Sequence, residues 1–160
     1  METNFIYNHI FKCERLNEPK LSYNEDKSIT QDVQAENILR NIYEKENIDL
    51  DICEVCIALL VNRCNKVVGY YKVSQGGTDS TTIDVKMITK AALDTFSSGV
   101  ILCHNHPSGS PRPSQADIKQ TKKLKSALDI FNISLLDHII LTEKNAYYFS
   151  SNTSKYPISA

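Results

Sequence analysis

Apolar positions along the chain come in groups whose spacing switches between a helical and an extended period. Over residues 28–47 (SITQDVQAENILRNIYEKEN), Val33, Ile38, Leu39 and Ile42 recur at helical intervals, and Thr30 or Ser28 can cap a first helix. Residues 53–77 (CEVCIALLVNRCNKVVGYYKVSQGG) hold two β-rich runs around the polar turn Asn62-Arg63-Cys64-Asn65. This predicts a hairpin whose second strand ends at Gly76-Gly77. Residues 84–97 place Met87, Ile88, Ala91, Ala92 and Leu93 on one helical face, and Gly99 punctuates the helix. Val100-Ile101-Leu102-Cys103 is apolar at every position, as a central strand covered on both faces must be. From Ser114 to Phe131, a third helix repeats apolar residues at Ile118, Leu124, Leu128 and Phe131, with Thr121 small enough to join that side. ISLLDHIILT and NAYYFSS then read as two short strands.

Helices and strands alternate without internal repeats, so the expected class is α/β, a mixed β-sheet flanked by helices. Residues 1–29 carry no sustained period and read as an N-terminal arm; residues 30–152 form the domain and 153–160 a polar tail. A chain of 160 residues has room for one sizeable core, not two.

Charge narrows the partners. Eighteen Lys and Arg against nineteen Asp and Glu give a net charge of −1, so no global positive field exists to hold a phosphate backbone. Lys119, Lys122, Lys123 and Lys125 read as the solvated face of the third helix. No apolar run reaches the roughly 20 residues of a membrane helix, and METNFIYNHIFKCER lacks the apolar core of a signal peptide. A cytoplasmic protein without a membrane partner is the expectation. Five cysteines, an odd number lying mostly in apolar runs, read as reduced thiols. Cys53 and Cys56 spell C-x-x-C, but residues three apart on a strand face opposite ways and cannot chelate together.

The candidate chemistry lies in residues 104–117, HNHPSGSPRPSQAD. On an extended chain His104 and His106 project to the same side, close enough to share an ion. Two neutral imidazoles leave a tetrahedral zinc needing a third protein ligand and an open vertex. Asp117 is the nearest acid beyond the loop, and Pro107, Gly109, Pro111 and Pro113 let that loop turn sharply and hold its shape. A simpler reading competes: Ser114 followed by Asp117 at the third helical position is a helix start that needs no chemistry. Asp137 and His138, near the end of a buried strand, read as a satisfied polar pair in the core, with orientation of a ligand as the alternative. His9 reads as a surface residue of the arm.

HNHPSGSPRPSQAD resembles the JAMM signature of MPN+ metalloproteases, a His-x-His pair followed by Ser-x-x-Asp. The HNHPSG version with a later LLDHII is similar to the bacterial RadC-type branch, and the likeness runs from about Thr30 to Ser151. It implies an MPN domain of the JAB1/MPN-like, cytidine-deaminase-like fold. It also implies that His104, His106 and Asp117 hold Zn²⁺, that Ser114 helps stabilise an oxyanion, and that Glu54 is the general base and acid. Residue chemistry alone does not single out Glu54 from Asp51 or Asp84. The activity implied is hydrolysis of a peptide or isopeptide amide, with a peptide or protein as substrate. Two other readings stand beside it: a non-catalytic MPN-like interaction module, and a DNA-repair-associated RadC-like factor. The chain departs from RadC-type relatives in carrying Val85-Lys86-Met87 where they often have Pro-Arg-Glu, and its segment before Thr30 is too short for their helix-hairpin-helix region.

Overall fold

In the computed structural model, which describes residues 13–14, 28–75 and 83–152, six strands form one sheet. They are β1 (Cys13–Glu14), β2 (Val55–Val61), β3 (Val67–Gln75), β4 (Gly99–Asn105), β5 (Ser134–Leu141) and β6 (Ala146–Tyr148). Their spatial order is β1-β3-β2-β4-β5-β6. Only β4 and β5 run parallel; the other neighbours are antiparallel, so the sheet is mixed. A parallel pair needs a crossover, and the helix α3 (Gln115–Asp129) supplies it.

The other α-helices among the described residues are α1 (Asp32–Lys45) and α2 (Val85–Asp94), and a 3-10 turn covers Ser150–Asn152. Leu39, Ile42 and Tyr43 of α1 cover one face of the sheet, against Ile57, Leu59 and Ile101. Ile88 and Ala92 of α2, with Leu124 and Leu128 of α3, cover the other, against Ala58 and Leu102. β2 and β4 are therefore buried at every position, which is why their sequences are apolar without alternation. Arg40 ties α1 to the β5–β6 turn by donating to the carbonyls of Thr142 (3.0 Å) and Asn145 (3.2 Å).

The predicted hairpin forms. Asn62 Oδ1 accepts from the backbone N–H of Cys64 and Lys66, and Asn65 takes the left-handed conformation the turn requires, φ 54°. The helix ends differ from expectation. Neither Ser28 nor Thr30 caps α1; Gln31 stands at its start, and Gln34 reaches back to accept from the N–H groups of Thr30 and Gln31. Val33, Leu93 and Phe131 are exposed rather than part of the apolar faces. α2 stops at Asp94, where Phe96 turns left-handed at φ 52°, and α3 stops at Asp129, so Phe131 lies past the end of its helix.

A single irregularity in β5 decides which side chains reach each face of the sheet. Val100 of β4 pairs with Leu135, but Ile101 pairs with Asp137, so Leu136 is an extra residue, a bulge. Beyond it the faces are inverted: Leu135 and Ile140 lie on the α2/α3 side, whereas Ile139 and Leu141 lie on the α1 side. No described helix is long and apolar enough to cross a membrane. Most of the predicted arm with His9, the Gly76-Gly77 strand end, and the 153–160 tail lie outside the described residues.

Candidate metal centre

β2 and β4 are antiparallel with Cys56 opposite His104, which brings Glu54, immediately before β2, to the sheet end where β4 finishes. His104 is fully buried on the α2/α3 side, and the backbone N–H of His106 bonds to the Leu141 carbonyl at 2.9 Å. That bond carries the β4–β5 pairing one residue past the strand, so His106 returns to the face of His104. Their Nε2 atoms lie 2.9 Å apart. The loop then reverses through Gly109 at φ 75°, and the Ser110 carbonyl sits 2.8 Å from His106 Nδ1. A carbonyl has no hydrogen to give, so His106 carries a hydrogen on Nδ1, and in its neutral form it turns a bare Nε2 toward the cluster.

The loop delivers α3 with its N-terminus against this pair. Ser114 Oγ accepts from the Asp117 N–H at 3.1 Å, and Asp117 Oδ2 accepts from the Ser114 N–H at 2.6 Å. This is a capping box. The same carboxylate places Oδ1 3.3 Å from His104 Nε2 and Oδ2 3.6 Å from His106 Nε2. Helix start and cluster are thus two uses of one residue, not the alternatives that sequence alone presents. Glu54 Oε1 lies 3.6 Å from His104 Nε2, on a side chain 12% exposed. One ligand atom each from Glu54, His104, His106 and Asp117 fall within 4.8 Å of one another, a group that could hold a metal ion.

Electrostatics agree with a site that needs positive charge. Burial alone would raise the Asp117 pKa, but the two imidazoles against it, His104 and His106, with the Ser114 N–H, outweigh burial and hold the carboxyl well below its usual range. Burial alone would lower His106, yet Asp117, the Ser110 carbonyl and Glu54 together raise it.

Asp137 and His138 do not pair with each other's side chains. His138 is fully buried on the site side, its Nε2 2.8 Å from His104 Nδ1 and its Nδ1 2.6 Å from Thr121 Oγ1. Burial, with the nearby His104, holds its pKa well below the histidine norm. Asp137 accepts from the N–H groups of His138 (2.7 Å) and Ser150 (2.8 Å) and from Ser150 Oγ (2.9 Å). Helical periodicity treats Thr121 as a small core residue and gives no role to its hydroxyl; its place one helical turn after Asp117 is the signal that points to one. Cys53 packs against the α1-side core and Cys56 lies in the core on the opposite side of the sheet.

The model of the RadC-like JAB domain matches residues 24–156 of this sequence. The chain belongs to that family. Among its curated relatives, a UPF0758 protein of Flavobacterium johnsoniae is 46% identical over 91 residues, covering 57% of this chain and 40% of the relative. A UPF0758 protein of Neisseria meningitidis is 43% identical over 96 residues, covering 60% of this chain and 43% of the relative. The chain thus matches only about two-fifths of the length of those relatives.

Proposed function

We propose that this RadC-like domain is a zinc-dependent hydrolase of amide bonds, acting on a peptide or on an isopeptide-linked protein. The observation that carries the reading is the convergence of His104 Nε2, His106 Nε2 and the Asp117 carboxylate, with Glu54 beside them. The donor set fits the ion. His106 Nε2 lies 2.9 Å from another ring nitrogen and 3.6 Å from a carboxylate oxygen, an approach that suits a cation, either a proton or a metal ion, among them. Two imidazoles and one carboxylate are a common catalytic zinc set, one that keeps a position open for water or substrate. His104, His106 and Asp117 would hold it, and zinc when bound polarises a carbonyl and renders water acidic near pH 7.

The chain's own groups do the rest. Glu54, mostly but not wholly shielded, takes the proton of the attacking water and later delivers it to the leaving nitrogen. Ser114 Oγ spends a lone pair on the Asp117 N–H, which leaves its hydroxyl hydrogen to donate to the oxyanion that forms on the carbonyl. Ser114 is exposed, so that hydrogen meets a substrate arriving from solvent. The three ligands stay fixed because each is held by backbone: His104 in β4, His106 through Ser110, Asp117 through Ser114.

The test pairs metal analysis with cleavage of peptide and lysine-isopeptide substrates. Wild type and Glu54→Gln should each retain about one zinc per chain, His104→Ala and Asp117→Ala should lose it, and only wild type should cleave. A wild-type protein that takes up no zinc, or a Glu54→Gln variant as fast as wild type, would overturn the proposal.

A further inference from the structure

Two residues outside the metal-candidate group are joined to it by a chain of short contacts whose direction can be read. Thr121 Oγ1 lies 2.6 Å from the Asp117 backbone carbonyl. Two oxygens that close need a hydrogen between them, and the carbonyl has none, so the threonine hydroxyl supplies it. That uses its only hydrogen. The 2.6 Å contact from Thr121 Oγ1 to His138 Nδ1 must then run the other way, with the ring N–H donating. Fully buried, with a ring nitrogen and a hydroxyl rather than a carboxylate against its two nitrogens, His138 is a neutral imidazole with one N–H, so its Nε2 is a lone pair, and the 2.8 Å contact with His104 Nδ1 takes the hydrogen of His104.

We propose that Thr121 and His138 are positioning residues which fix His104 with its proton on Nδ1, leaving the Nε2 lone pair directed at the metal-candidate group. The relay is anchored at both ends by α3: it begins at the carbonyl of Asp117 and returns to the histidine facing the carboxylate of that same residue. His138 has little freedom to reorient. It is fully buried and stacked on Phe149, ring centroids 4.8 Å apart and planes 11° apart, while its backbone N–H is held by Asp137. The bulge at Leu136 is what turns this ring to the site side of the sheet. Outer partners of ligating histidines commonly set the tautomer in this way, and their loss weakens metal binding by about 10- to 100-fold.

The relay itself stands on hydrogen-bond geometry; its value for zinc rests on the proposed hydrolase function. Long-range ¹H–¹⁵N correlation of the histidine rings in the intact protein reads the tautomers directly, and chelator competition reads zinc affinity. In wild type, His104 and His138 should both carry hydrogen on Nδ1. Thr121→Val keeps the branched shape but removes the acceptor; it should change the His104 and His138 ring signals and weaken zinc binding by about 10- to 100-fold. Thr121→Ser restores the hydroxyl at the cost of a methyl group and should return both towards wild type, whereas a packing role for Thr121 predicts the reverse order. Hydrogen on His138 Nε2 in wild type, or a Thr121→Val protein with wild-type ring signals, would overturn the relay. A wild type that shows these tautomers yet binds no zinc would support the relay and sink the hydrolase reading instead.

Discussion

Asn105 Oδ1 accepts a hydrogen bond from the Val55 N–H at 2.8 Å, so the residue between the two clustered histidines holds the segment that bears Glu54. Its amide nitrogen donates to the carbonyls of Leu50 (2.8 Å) and Cys53 (2.9 Å), and the side chain is fully buried on the α1 side. The tripeptide His104-Asn105-His106 therefore uses both faces of one strand end: rings to the cluster, amide to the base. Asn105→Ala strands three backbone groups and should lower stability by about 2–4 kcal/mol in urea unfolding. Cleavage should fall further than zinc content does, because the ligands remain and Glu54 loses its anchor.

The contribution of His106 to the stability of the metal-free protein should fall as pH rises through the neutral range. The folded pKa of His106 is raised above its ordinary 6.5, so its contribution is fully present below that value and disappears as pH climbs through the higher folded value. A cation that takes the place of the proton reverses the trend. Thermal scans with chelator and with zinc should show a gap in Tm that widens with pH; parallel curves would contradict the exchange of proton for metal at His106.

Asp137 gives a second, separable pH dependence. Burial outweighs its three hydrogen bonds and lifts the folded pKa from 3.8 to about 6. Its contribution is complete below about pH 4 and lost as pH rises through 6, a span worth at most about 3 kcal/mol. Asp137→Asn keeps an oxygen for the His138 and Ser150 N–H groups and should be flatter over that range. Equal slopes for both proteins in urea melts at pH 4 and 7 would refute the assignment.

Ser114→Ala should separate cap from catalysis. Losing the acceptor for the Asp117 N–H should cost about 1 kcal/mol of stability. Losing an oxyanion donor should slow cleavage by about 100-fold with zinc content maintained. A variant that is less stable but equally fast would confine Ser114 to the helix start.

Much of the fold and half of the cluster are legible in the residues themselves. The continuous apolar run of β4 announces a strand covered on both faces, and strand alternation alone places His104 and His106 together. Three features are not legible there. Glu54 arrives through the antiparallel register that sets Cys56 opposite His104, a long-range fact that no local pattern contains. His138 comes to the cluster because the bulge at Leu136 breaks the two-residue alternation on which any facing argument depends. Phe131 is misplaced by extending helical periodicity beyond Asp129, where the chain has already left the helix for a turn containing Asn132 at φ 55°.

Because Asp117 opens α3 with the carboxylate that also faces both imidazoles, an exchange to glutamate, ordinarily the mildest available at that helical position, is not mild here. It would conserve charge and capping chemistry while carrying the oxygens one methylene away from the Ser114 amide and the rings alike. Tolerance at this position is therefore narrower than helix propensity would suggest, and a redesign of the loop must treat the serine, the aspartate and the two histidines as one rigid unit.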